Sequence, residues 1–121
     1  MRRNRVDQLQ HDGMVRIVAE QFHRQGFRVA ESIPGYVSPP RVNGRVPDVL
    51  AYRNRETVIA EVETSFSYLT PQTLQEFRAF SSFSESCSGV TFHAAIPKQN
   101  LEAAQRLAAL WNASPSKWWS I

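Results

Sequence analysis

Val46-Pro47-Asp48-Val49-Leu50-Ala51-Tyr52, Arg53-Asn54-Arg55-Glu56 and Thr57-Val58-Ile59-Ala60-Glu61-Val62-Glu63-Thr64 follow one another without a break. The first segment is a short apolar run, the second a polar turn, and the third is rich in β-branched residues, so together they predict a hairpin of interior strands. In a strand, residues i and i+2 share a face. Glu61 and Glu63 therefore project together, while Val58, Ala60 and Val62 point the other way. With the turn at Asn54 and Arg55, the start of the first strand lies beside the end of the second, which brings Asp48 within reach of both glutamates. Three carboxylates meeting beside a sheet interior repel one another and lose hydration unless they are protonated or bind cations. Mg²⁺ and Mn²⁺, hard ions that prefer oxygen ligands, are the natural solution. The plainer alternative is a solvated polar face with Asp48 as a turn residue; the apolar residues on both sides of Glu61 argue against it.

Outward from this hairpin, elements follow in regular order. Asp7, His11, Met14, Val15, Val18 and Phe22 recur at helical spacing and end at Gly26, which predicts a first helix. Phe27, Val29, Glu31 and Ile33 alternate as a strand until Pro34-Gly35, and residues 34 to 44 form a loop. Thr70 with Pro71 predicts an N-cap and N1 proline, and Thr73 to Glu76 has the form of a capping box one turn later. Leu74, Phe77 and Phe80 mark the buried face of that second helix. Val90, Phe92, Ala94 and Ile96 alternate as a fourth strand. Asn100 is the expected cap of a third helix carrying Leu101, Ala104, Leu107, Ala108 and Trp111, and Trp118 to Ile121 reads as a short last strand. The order αβββαβα, with that terminal strand after it, predicts an α/β fold with a central mixed sheet flanked by helices.

Composition sets the outer limits. The 121 residues carry 14 Lys and Arg against 11 Asp and Glu, a formal charge of +3. Arg2, Arg3 and Arg5 account for that excess, leaving 11 basic and 11 acidic groups over residues 6 to 121. We therefore expect a flexible basic arm over 1-6 and a single domain over 7-121, a size sufficient to bury one core. One cysteine, Cys87, makes no intramolecular disulfide, and no zinc-finger spacing exists. The amino-terminal stretch has no apolar segment and no long apolar run follows, so the expected location is cytoplasmic with no membrane partner. No Walker loop, dinucleotide fingerprint or HExxH motif is present.

At Pro47-Asp48 and Glu61-Val62-Glu63 the sequence resembles the restriction-endonuclease-like superfamily, the PD-(D/E)xK nucleases, and in layout its Holliday-junction-resolvase-like branch. The helix-three-strands-helix order extends that resemblance over most of the chain. It implies a restriction-endonuclease-like core and a metal-dependent nuclease hydrolysing phosphodiester bonds, with DNA the expected nucleic acid, in repair, recombination or restriction, as endonuclease or exonuclease. The alternative is a catalytically inactive relative that binds nucleic acid or a protein partner. The resemblance implies Asp48, Glu61 and Glu63 as catalytic residues and as metal ligands for Mg²⁺ or Mn²⁺, with His11 expected as a further ligand, and a homodimer or a role as part of an assembly is expected.

The chain departs from the family pattern at one position: the motif lysine is replaced by Glu63. Glu63 then serves as ligand or base, and the compensating charge must come from a second ion, Arg45 or Lys98. The family often adds an acid from the first helix. Glu20 falls opposite the buried stripe, so His11, or else Asp7, is the residue expected near the metal, with Asp7 equally explained as the helix N-cap. Gln75, with Gln72, resembles a glutamine some members use near the site. Arg41, Arg45, Gln75 and Lys98 are the expected nucleic-acid contacts, the first two in or beside the 34 to 44 loop.

Overall fold

The computed structural model describes residues 3 to 121; Met1 and Arg2 of the expected arm lie outside the described residues. Three helices and a five-stranded sheet follow in the order α1 (Arg5–Arg24), β1 (Arg28–Glu31), β2 (Val49–Arg53), β3 (Glu56–Val62), α2 (Pro71–Ser86), β4 (Val90–Ile96), α3 (Leu101–Leu110) and β5 (Lys117–Ser120). The chain is thus α/β with a mixed sheet, as expected.

Helix α1 starts two residues earlier than the stripe indicated, inside the stretch expected to be an arm. Asn4, not Asp7, is the N-cap: its side chain accepts the Asp7 N–H at 2.8 Å. Asp7 is thereby freed to turn inward. The helix closes in a Schellman turn, in which Gly26, at φ +88°, donates to the His23 carbonyl and Phe27 to the Phe22 carbonyl. The accompanying hydrophobic contact is Phe22 against Phe27, ring centroids 5.3 Å apart.

The sheet order is β1-β2-β3-β4-β5. The first three strands are antiparallel and the hairpin turns at Asn54 and Arg55, as the sequence indicates, with Arg53 opposite Glu56. Strands β3, β4 and β5 are parallel, joined by α2 and by α3. The period-2 alternation sorts the core into two layers. Val49, Ala51, Val58, Ala60 and Val62 pack with Val15, Val18 and Phe22 of α1. Leu50, Ile59, Phe92, Ala94 and Ile96 pack with Phe77 and Phe80 of α2 and with Ala104 and Ala108 of α3. The last strand divides its tryptophans the same way: Trp118 lies 6.2 Å from Phe77, and Trp119 lies 5.2 Å from Phe22.

Two caps differ from expectation. Thr70 does cap α2, accepting the Thr73 N–H, with Pro71 in the first turn. The expected second capping box does not form, because Thr73 is already inside the helix and its hydroxyl donates to the Ser67 carbonyl. Asn100 ends a short 3-10 turn over Lys98–Asn100, and its side chain does not cap α3. It accepts instead from the Ser65 hydroxyl at 2.8 Å, which ties the β3–α2 loop to the far end of β4.

Gly89 sits where α2 gives way to β4, at φ +79°, and a Cβ there would meet the Arg55 carbonyl oxygen at 2.6 Å. Its own carbonyl accepts from Thr57 N–H at 2.8 Å, which sets the β3–β4 register. Gly89→Ala is therefore expected to lose about 2–4 kcal/mol from the left-handed conformation and the backbone clash together, read as a lowered urea midpoint. Gly35→Ala shares the positive φ but meets open space, so it should lose about 1 kcal/mol.

Among the described residues, no helix is long and apolar enough to cross a membrane.

Candidate functional site

Asp48 enters β2 next to Val49, which pairs with Ala60, so Asp48 faces Glu61 across the ladder. The Asp48 N–H donates to Glu61 Oε1 at 3.1 Å, and the Val62 N–H donates to Asp48 Oδ2 at 2.8 Å. Asp48 thus stands just before β2 and Glu61 one residue inside the end of β3, where the β2–β3 pairing stops at Val49 and Ala60. Glu61 is 2 % exposed and Glu63 3 %. They lie on the same side of the sheet as Ile59, the side α2 covers, and this decides their third partner. Glu76 projects from α2 toward them, and ligand oxygens of Glu61, Glu63 and Glu76 all fall within 4.8 Å of one another.

Sequence reasoning missed Glu76, having assigned it to a capping box that does not form. The signal that could have found it is its spacing: it follows the buried Thr73 by three residues and precedes the buried Phe77 and Phe80, so it lies beside the inward stripe.

The expected residues Asp48, Glu61, Glu63 and His11 share one cleft of about 250 Å³, but not all in the expected way. Asp48 and His11 are not in the set of mutually close ligand atoms. His11 reaches the site through Asp48: its Nε2 is 3.0 Å from Asp48 Oδ1, and its Nδ1 is 3.1 Å from Asp12. Burial pulls the imidazole pKa down, but the hydrogen bond and charge of Asp48 outweigh it and raise it. Burial likewise pushes Asp48 up, yet the His11 hydrogen bond and charge hold it below the ordinary carboxylate value. The two form an ion pair at the mouth of the strands.

The glutamates shift in the opposite direction. Burial, the Asp48 charge and Glu76 push Glu61 well above the ordinary value. Burial and the Asp48 charge push Glu63 up to about 8, against the hydrogen bond it accepts from the Ser67 hydroxyl. A set of buried carboxyls that resists ionisation in the metal-free protein is one that a divalent cation would stabilise in its charged form.

Asp7, 2 % exposed, accepts from Thr64 Oγ1 at 2.5 Å and from Arg3 Nη1 at 2.9 Å. Arg3 Nη2 in turn lies 3.7 Å from Glu63 Oε2. Of the expected nucleic-acid contacts, Arg45 and Gln75 are brought together at 3.2 Å, joining the loop between β1 and β2 to α2 beside cleft-lining Val46 and Gln72. Arg41 reaches only the Gly44 carbonyl of its own loop. Lys98 is exposed just past the end of β4, which runs parallel to β3, and so stands at the same end of the sheet as the carboxylates. Glu20 is exposed beside Arg16 and Arg24, as its helical position indicated.

No protein-family model matches the chain, and no curated protein or solved structure shows significant similarity to it.

Proposed function

We propose that the cleft is a divalent-metal centre for hydrolysis of phosphodiester bonds in DNA, on a restriction-endonuclease-like core. The observation that carries this reading is the convergence of Glu61, Glu63 and Glu76 within 4.8 Å, two of them buried, beside the Asp48–His11 pair. The donor set fits Mg²⁺ or Mn²⁺, being all oxygen and anionic. The element order α1, β1, β2, β3, α2, β4 supports the reading, being the helix-three-strands-helix order on which the resemblance at Pro47-Asp48 and Glu61-Val62 rests.

In this reading Glu61, Glu63 and Glu76 would hold the ion. The ion would supply charge screening at the phosphoryl oxygens and activation of the attacking water. Asp48 acts as a positioning residue: its amide N–H orients Glu61 Oε1, while its carboxylate is pinned by Val62 N–H and His11. Glu63, which accepts from the Ser67 hydroxyl, would be held by that bond in position as a ligand. Arg45 and Gln75, joined at 3.2 Å beside the cleft, would meet the phosphate backbone.

The test is incubation of supercoiled, linear, single-stranded and branched DNA with protein and Mn²⁺, alongside calorimetry on wild type and Asp48→Ala. We expect cleavage of at least one substrate that EDTA stops, and Mn²⁺ binding weakened about 10–100-fold in the variant. Motif-dependent binding without any cleavage would favour the inactive, nucleic-acid-binding relative. Absence of binding in wild type would sink the metal reading.

A further inference from the structure

Among the described residues that line the cleft, Arg3 is the only lysine or arginine, facing Asp48, Glu61, Glu63 and Glu76. Its two terminal nitrogens are held unequally. Nη1 donates to Asp7 Oδ1 at 2.9 Å, and Asp7 is itself fixed by the Thr64 hydroxyl. Nη2 stands 3.7 Å from Glu63 Oε2, an ion pair without a hydrogen bond. That oxygen already accepts from the Ser67 hydroxyl, so withdrawal of Nη2 leaves it satisfied. The Arg3 side chain is 17 % exposed and its backbone precedes Asn4, the cap of α1, so it is outside the helix ladder while its root is fixed by that cap. One end of the guanidinium is thus anchored and the other is exchangeable, within the lining of the cleft.

We propose that Arg3 is the built-in counter-ion of this cleft: it yields Glu63 to an entering divalent cation and then presents its freed Nη2 to the phosphate of the substrate. This rests on the metal-centre reading above. Two chemical facts join here. A guanidinium beside Glu63 repels an entering cation, so it opposes metal binding. Its planar fork of N–H donors also matches phosphate oxygens, so once displaced it favours the anion that metal and substrate chemistry brings in. Asp7 keeps the side chain in the cleft throughout, which explains why a buried aspartate is spent on an arginine near the chain start.

The experiment is calorimetry on wild type, Arg3→Gln and Arg3→Lys, first with MnCl₂ and then, on the Mn²⁺-loaded proteins, with thymidine 5′-monophosphate. Arg3→Gln should bind Mn²⁺ about tenfold tighter, because a unit charge a few ångströms from the ion is gone, and the nucleotide at least about tenfold weaker, because the ionic hydrogen bonds are gone. Opposite signs in one variant are something a merely structural role would not produce. Arg3→Lys keeps the charge but not the fork, so Mn²⁺ affinity should stay at the wild-type value while nucleotide binding weakens about threefold. If Arg3→Gln does not fold, Arg3→Lys decides alone. Unchanged or weaker Mn²⁺ binding in Arg3→Gln, unchanged nucleotide binding in either variant, or parallel loss of both ligands in Arg3→Lys overturns the assignment. Wild type that binds no Mn²⁺ overturns the metal reading and this exchange together; wild type that binds it with Arg3→Gln unaffected overturns the role of Arg3 alone.

Discussion

In the proposed metal centre, Glu61→Gln is expected to weaken Mn²⁺ binding and DNA cleavage severely while making the metal-free protein more stable. The two outcomes come from the same carboxyl. In the folded chain Glu61 is 2 % exposed, on the central strand, between the charge of Asp48 and the carboxyl of Glu76, and its pKa is pushed well above the ordinary value. Glutamine keeps the oxygen that accepts the Asp48 N–H but removes the tendency to ionise where ionisation is costly. At pH 8 the metal-free variant should therefore gain on the order of 1–2 kcal/mol in urea unfolding. The same change removes an anionic oxygen from the cluster formed with Glu63 and Glu76. Mn²⁺ affinity should fall by about two orders of magnitude, and DNA cleavage by about a thousandfold, the value of several kcal/mol of lost charge stabilisation. A variant that is no more stable, yet still binds Mn²⁺ normally, would remove Glu61 from the site.

The second large effect is on pH dependence, and its sign follows from the groups involved. Glu63 titrates near 8 in the folded chain and Glu61 is raised well above the ordinary value, so between pH 4.5 and about 8 the folded state holds more protons than the unfolded one. Stability falls as pH rises through that range. His11 is also raised, through Asp48 against its burial, so it loses its contribution as pH passes above 6.5. His93 acts in the opposite sense: burial and the nearby Lys117 lower it to about 4, so its contribution grows with pH between 4 and 6.5. Its Nδ1 accepts from the Trp119 indole N–H, which requires the neutral ring. Above pH 6.5 the glutamates and His11 act unopposed. Metal-free protein should lose a few kcal/mol between pH 6.5 and 8.5 by urea unfolding, and saturating Mn²⁺ should flatten or reverse that slope, because the ion holds the carboxylates in their charged form. Below pH 4, protonation of Asp48 removes the pair with His11 and stability should fall again. A metal-free profile flat from pH 6.5 to 8.5 would mean that the cluster is not desolvated in solution.

Which parts of this site could be read before the fold was known depends on how local the determining physics is. Asp48, Glu61 and Glu63 were legible because strand alternation and a two-residue turn are properties of neighbouring backbone. Once Asn54 and Arg55 form the turn, the register that sets Asp48 against Glu61 follows. His11 was legible as an inward residue of α1 from helical spacing, though not the way it acts, through an ion pair with Asp48. Arg3 reads as part of a flexible arm because nothing in its local sequence reveals a salt bridge to residue 63; that contact exists only because Asn4 caps α1 and α1 packs against β3.

Glu76 is the clearest case. A threonine, two intervening residues and a glutamate satisfy the local rule for a capping box, and Thr70 with Pro71 satisfy the rule for a cap three residues earlier; the local rules alone do not choose between them. The tertiary fold chooses, because the Ser67 carbonyl takes the hydroxyls of both Thr70 and Thr73, and α2 is thereby rotated to lay Phe77 and Phe80 on the sheet. That rotation carries Glu76 over Glu61 and Glu63. The sequence by itself determined the element order, the two faces of the hairpin and the presence of three acids at one sheet end, since each rests on backbone periodicity within a few residues. Only the tertiary structure decided which fourth acid completes the cluster, which cation faces it, and which of the acids are pushed toward resisting ionisation, because those depend on how α1 and α2 dock and on how much water their docking removes.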